Sequence, residues 1–195
     1  MKIADDGRGC PSYQACSVNP QDELNALIEL FPSEEPLVLQ ADHIPRDLTP
    51  EPYKTLLVHG HHMTVTMEKF HDSPVEVRVL EQRQEGNLYL RKITLVKSGT
   101  EQVVQFGIVR FNFEFVTAEI RDEILRGEIP LGRILIQYNV LRHIDLGAIV
   151  KLTAGPGLAK HLQMEEGQTT YGRMATIFCN HRPALDLLEV SAPLD

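Results

Sequence analysis

The spacing of hydrophobic positions changes about a third of the way along the chain. Leu24, Leu27, Ile28 and Phe31 recur at i, i+3, i+4 and i+7, which places them on one face of a helix. Asn19-Pro20 supplies an N-cap and a proline at the first helical position, and Pro32 and Pro36 end the run. A second helix is expected from Thr49-Pro50, with Tyr53, Leu56 and Leu57 turned inward and a stop near Gly60. Met63 to Phe70 mixes β-branched and apolar residues and breaks at His71-Asp72-Ser73-Pro74. From Val75 the period falls to two: Val75, Val77 and Val79 alternate with Glu76 and Arg78. Leu88 to Val96 and Gln102 to Phe115 read as further strands, and the turns at 84–87 and 97–100 join them into an antiparallel meander.

Helical signals then return. Thr117 caps a helix with Glu119 in its first turn, Ile120, Ile124 and Leu125 on one face, and Gly127 at its close. Pro130-Leu131-Gly132-Arg133 opens a short helical segment. Val140 to Thr153 is expected to be extended, and Gly155-Pro156-Gly157 precedes a short helix over 158–162. Tyr171–Cys179 and Pro183–Val190 form a terminal hairpin turning at Asn180-His181-Arg182. Strands grouped centrally, with helices before and between them, predict an α+β protein: one antiparallel sheet with helices packed on one side. Residues 1–18 are rich in Gly, Ser, Asp, Pro and Cys without periodicity. They read as a poorly ordered lead-in to a single domain over 19–195.

Composition narrows the function. A formal charge of −8 argues against a nucleic-acid surface and against a membrane-surface role. No apolar run has the length of a transmembrane helix, and no signal core follows Met1, so a cytoplasmic protein is expected. The three cysteines, Cys10, Cys16 and Cys179, match neither a disulfide framework nor a zinc pattern and are expected to be free thiols. His59, His61, His62 and His71 cluster at a helix end without the spacing of a metal motif and read as a solvated loop. No metal and no cofactor are expected. The partner is a small molecule, bound by a monomer or homodimer.

Strand alternation makes certain charges conspicuous. Arg91 shares a face with Tyr89, Ile93 and Leu95; Arg173 with Tyr171, Ala175 and Ile177; Glu189 with Leu185 and Leu187. A buried charge is costly unless paired or bound. One reading is a structural Arg–Glu pair, or arginines that reach to an edge. The other is a sheltered anion site, with Arg91 and Arg173 binding carboxylates and Glu189 suited to proton transfer.

These residues carry a resemblance to a known family. The segment Leu56 to Glu68, the strand Val75 to Gln82, Leu90-Arg91-Lys92-Ile93-Thr94-Leu95, Pro130-Leu131-Gly132-Arg133-Ile134-Leu135, and Arg173, Pro183 and Glu189 in the closing hairpin stand in the order seen in the chorismate lyases. The chain resembles that family over roughly residues 56–192. The resemblance implies a six-stranded antiparallel sheet enclosing a ligand cavity. It also implies a cofactor-independent carbon–oxygen lyase that eliminates pyruvate from chorismate, or a close relative, to leave a hydroxybenzoate. By that likeness Glu189 is the catalytic acid and Arg91 holds a carboxylate. Met63, with Thr64 beside it, belongs to a flap over the ring, Gly132 offers backbone N–H groups, and Leu135 is a wall. The family's second arginine falls at Ile108, with Arg110 or Arg173, or Arg78 or Arg83 from an adjacent strand, as replacement; with none of them the site suits a less charged ligand. The alternative is a non-catalytic binding or sensor protein for a small aromatic carboxylate on the same fold.

Overall fold

The computed structural model describes residues 19–194. The expected lead-in over 1–18, with Cys10 and Cys16, lies outside the described residues. The elements run α1 (Pro20–Ile28), β1 (Val38–Ile44), α2 (Tyr53–Leu57), α3 (Met63–His71), β2 (Val75–Glu85), β3 (Leu88–Lys97), β4 (Val103–Asn112), α4 (Ala118–Arg126), α5 (Leu131–Gln137), β5 (Arg142–Ala154), α6 (Pro156–Leu162), β6 (Thr169–Cys179) and β7 (Arg182–Ser191).

Local chemistry sets most of these boundaries. The Asn19 side chain accepts the Gln21 N–H at the start of α1, and Thr117 Oγ1 accepts the Ile120 N–H at the start of α4. Gly127 closes α4 in the left-handed region, at φ 69°. After Ile28 the chain tightens: Leu30 and Phe31 donate to carbonyls three residues back, which keeps Phe31 buried beyond the helix end. Residues 63–71 form a helix despite Val65 and the threonines beside it, because Met63 and Met67, one turn apart, share a buried face.

The strands form one antiparallel sheet in the order β1-β5-β6-β7-β4-β3-β2. The expected α+β architecture is therefore present, with seven strands among the described residues rather than six. The additional strand, β1, is an edge strand with mostly exposed side chains and carries no alternating apolar signal. It pairs with β5 only from Ile149 to Ala154. Helices α2 to α5 and their apolar clusters cover the sheet face that carries Tyr89, Ile93, Val109 and Leu187. The opposite face, with Leu90, Phe106, Ile108 and Leu188, receives α1 and α6. No described helix is long and apolar enough to cross a membrane.

Strand order brings distant residues into register. Ile93, Gly107, Glu189, Arg173 and Ile149 lie side by side across β3, β4, β7, β6 and β5. The neighbouring row contains Arg91, Val109, Leu187 and Ala175. On the other side of the first row, Leu95 faces Gln105, which faces Ser191. Gly107 thus sits at the centre of a ring of larger side chains, and its missing side chain leaves a hollow in the layer between sheet and helices.

Candidate functional site

That hollow is a cavity of about 40 Å³, lined by Arg91, Gln105, Gly107 and Glu189 from the sheet and by His62, Met63, Thr64 and Gly132 from above. Apolar walls come from Ile93, Leu95, Val109, Leu131 and Leu187. One water needs roughly 10–15 Å³ on this measure, so the closed space matches a carboxylate group rather than a whole ring.

Arg91 dominates the site. It is 2% exposed, and its Nε and Nη1 atoms have no hydrogen-bond partner among the described residues. Burial holds the guanidinium pKa below its ordinary value, and the neighbouring Tyr89 phenol opposes that shift only in part. The Tyr89 hydroxyl itself donates to Gln82 Oε1 at 2.7 Å. Across the hollow, Gln105 Oε1 is also buried without a partner among the described residues. The cavity therefore brings together two guanidinium nitrogens and an amide oxygen that have no protein partner among the described residues, groups that a polar ligand can satisfy.

Arg173 has the opposite environment. It is 1% exposed, yet its Nε donates to Glu189 Oε2 at 2.8 Å, its Nη1 to the His59 carbonyl at 3.1 Å and its Nη2 to the His61 carbonyl at 3.1 Å. Of the two readings for the buried charges, the structural Arg–Glu pair describes Arg173 and Glu189. The unpaired cation describes Arg91. Arg173 is not part of the cavity lining, and it clamps the loop 58–62 instead.

The remaining sequence-derived residues divide. Met63, Thr64 and Gly132 line the cavity with Arg91 and Glu189. Leu135 is wholly buried one turn further along α5, in the neighbouring apolar cluster and outside the lining. Arg110 is displaced altogether: it lies on the far face of β4, where its Nη2 donates to Asp186 Oδ2 at 2.8 Å. Ile108 lies on that same far face, packed among the α1 and α6 residues, so neither position could supply a second arginine to the cavity. The solvated-loop reading of the histidines needs correction too. His62 is 8% exposed and accepts the Arg142 Nε–H on its Nε2 at 2.7 Å, while His59 Nε2 lies 2.7 Å from the Leu56 carbonyl. Burial, with Arg142 and Arg173 nearby, lowers the His62 pKa to about 4. Among the described residues no cluster of His, Cys, Asp and Glu has the geometry of a metal site. Cys179 is buried, and burial pushes its thiol up to about 11.

Gln105 and Arg142 escaped the sequence reading, and His62 entered it only as part of a solvated histidine loop. Gln105 had a usable signal, since it shares a face with Gly107, Val109 and Phe111 on β4. The roles of His62 and Arg142 depend on contacts between segments far apart in sequence.

No family model matches the chain, and no curated protein matches it. Solved structures do. The ligand-binding domain of a proposed GntR-family transcriptional regulator from Bordetella bronchiseptica aligns at 16% identity over 60% of this chain and 85% of that one, with a TM-score of 0.47. PhnF from Mycobacterium smegmatis aligns at 10% identity over 67% of this chain and 63% of its own, with a TM-score of 0.48. A GntR-family transcriptional regulator from Enterococcus faecalis aligns at 9% identity over 60% and 92%, with a TM-score of 0.42. At such identities the likeness concerns architecture alone. Three expectations need correction. The assignment to the chorismate lyases and the enzyme reading are withdrawn: no family model supports a lyase, the similar structures bear the names of transcriptional regulators and of a ligand-binding domain, and the expected acid, Glu189, is paired with Arg173. The exclusion of nucleic acid is withdrawn as well: net charge alone does not carry it, and the similar structures are named as transcriptional regulators or as part of one. What stands is an α+β fold with a cavity between sheet and helices that carries Arg91, Gln105 and Glu189.

Proposed function

We propose that this protein binds a small organic carboxylate, without converting it, in the cavity between the sheet and helices α3 and α5. The observation that carries this reading is Arg91: a guanidinium almost wholly removed from water, with two nitrogens aimed at no partner among the described residues. A carboxylate returns to such a group what burial has taken from it, through paired charge-assisted hydrogen bonds. Gln105 Oε1 awaits a donor, which favours a ligand bearing a hydroxyl. The apolar walls around that space favour an aromatic or branched aliphatic body next to the enclosed carboxylate over a sugar. A binding role is supported over a chemical one because Glu189 is the only carboxylate in the lining and serves Arg173.

Isothermal titration with benzoate and the three hydroxybenzoates tests this. Wild-type protein is expected to bind at least one hydroxybenzoate more tightly than benzoate, and Arg91→Gln to lose about 2–4 kcal/mol of that affinity. Equal affinities in the wild type and Arg91→Gln would remove Arg91 as the anchor. Chromatography of the bound ligand after prolonged incubation is expected to return it unchanged.

A further inference from the structure

Beside the enclosed cavity lies an open groove of about 710 Å³. Its lining includes His61, Arg142, His143 and Asn139 and not one carboxylate, in a chain with 27 acidic residues against 19 basic ones. Arg142 forms no ion pair among the described residues. Its Nε donates to His62 Nε2 at 2.7 Å and its Nη1 to the Val140 carbonyl at 3.0 Å, and Nη2 makes no hydrogen bond among the described residues.

His62 stands between the two spaces, since it lines both. On one side it packs against α5 so closely that a Cβ on Gly132 would fall 3.1–3.2 Å from its Cβ, Cγ and Nδ1 atoms. On the other side it is latched by Arg142. The latch is a hydrogen bond from a cation to a neutral ring nitrogen. A carboxylate arriving in the groove offers Arg142 a stronger, charge-assisted partner and thereby releases the ring.

We infer that the groove is a second anion subsite, centred on Arg142, and that the ligand is a two-ended anion whose body takes the place of the His62 ring. One carboxylate lies on Arg91, and the second anionic group lies on Arg142. This rests on the reading of Arg91 as a carboxylate anchor and extends it. It also explains how a molecule larger than the closed cavity is held: only its head is enclosed, and its tail runs through the place of the His62 ring into the groove.

The test compares two series of 4-substituted benzoates by isothermal titration. In one series the substituent is an alkyl chain of one to four carbons. In the other the same chains end in a carboxylate. In the wild type, one chain length of diacid is expected to bind at least about tenfold more tightly than its alkyl match. Arg142→Gln should erase that gain and leave the alkyl series within about threefold of wild type. Arg142→Lys, which keeps the charge but loses the Nε–H latch, should retain part of the gain and guards against a folding defect in the glutamine variant. Arg91→Gln should weaken both series. Diacids that bind no better than their alkyl matches, with both series still dependent on Arg91, would overturn the second subsite and leave the first standing. Binding that ignores Arg91→Gln, or no binding by either series, would remove both.

Discussion

Arg91 and Arg173 project from the same face of one sheet, on β3 and β6, and both are almost wholly buried, yet only Arg173 has a carboxylate against it. Strand order decides this difference. Glu189 on β7 is in register with Arg173, whereas the row through Arg91 contains Val109, Leu187 and Ala175. Two arginines equivalent in the sequence pattern therefore differ in energetic role, and substitutions should separate them.

Replacing Arg91 with methionine removes an uncompensated buried charge and keeps most of the volume. The expected outcome is a gain in stability of about 1–3 kcal/mol in the ligand-free protein, together with loss of carboxylate binding. Urea denaturation of both proteins checks it; a loss of similar size would make Arg91 a structural residue.

At Arg173 the sign reverses. Glu189→Gln strips the counter-ion from a guanidinium that stays buried, at an expected cost of about 3 kcal/mol. Arg173→Met additionally frees the His59 and His61 carbonyls that the arginine holds, so loop 58–62 should lose amide-exchange protection. Hydrogen-exchange mass spectrometry of that loop reads the effect directly.

Gly107 forms the floor of the hollow. A Cβ there would meet the Ile93 side chain at 3.4 Å, an ordinary contact, and no backbone strain forbids it. Gly107→Ala should therefore change stability by less than about 1 kcal/mol while reducing the space for a ligand. The expected pattern is an unshifted melting temperature with carboxylate affinity lowered by about tenfold or more.

The His62 imidazole has its pKa lowered from 6.5 to about 4 by burial and by the arginines around it. Between those values the unfolded chain takes up a proton that the folded chain refuses. Stability is thus complete above pH 6.5 and falls as the pH drops towards 4, by about 3 kcal/mol from this residue. His59, His71 and His161 are shifted in the same direction and steepen the decline. Unfolding free energies from pH 7.5 to 4.5 should show a shallower slope in His62→Asn than in the wild type.

Much of the architecture was legible in the sequence, because the meander, the capped α4 and the closing hairpin each rest on local signals. The faces of β3, β6 and β7 followed from alternation alone, so Arg91 and Glu189 could be placed toward a core. β4 resisted that treatment. Both of its faces are covered, so apolar residues occupy both, and the cavity-facing Gln105 was hidden among them while Arg110 was assigned to the wrong side. α3 was obscured by β-branched residues whose intrinsic preference yields to the burial of Met63 and Met67. The Arg142–His62 latch joins residues 80 positions apart, and no local pattern encodes it.

The partial pairing of β1 has a consequence for how copies of the chain meet. Because β1 reaches only to Ile149, the stretch of β5 from Arg142 to Leu146 has its outer backbone unpaired by any described strand. Such an edge is a template for another chain. Here it is blunted by the charged Arg142 and Asp145, by an irregularity between Leu146 and Ala148, and by the Arg46 guanidinium, which donates to the Leu146 carbonyl. Arg46 thus acts as a stopper at the end of an incomplete seam. Removing it would leave the Leu146 carbonyl uncovered on an edge open to strand addition, so loss of Arg46 is expected to raise aggregation on heating through a residue that does not line the cavity.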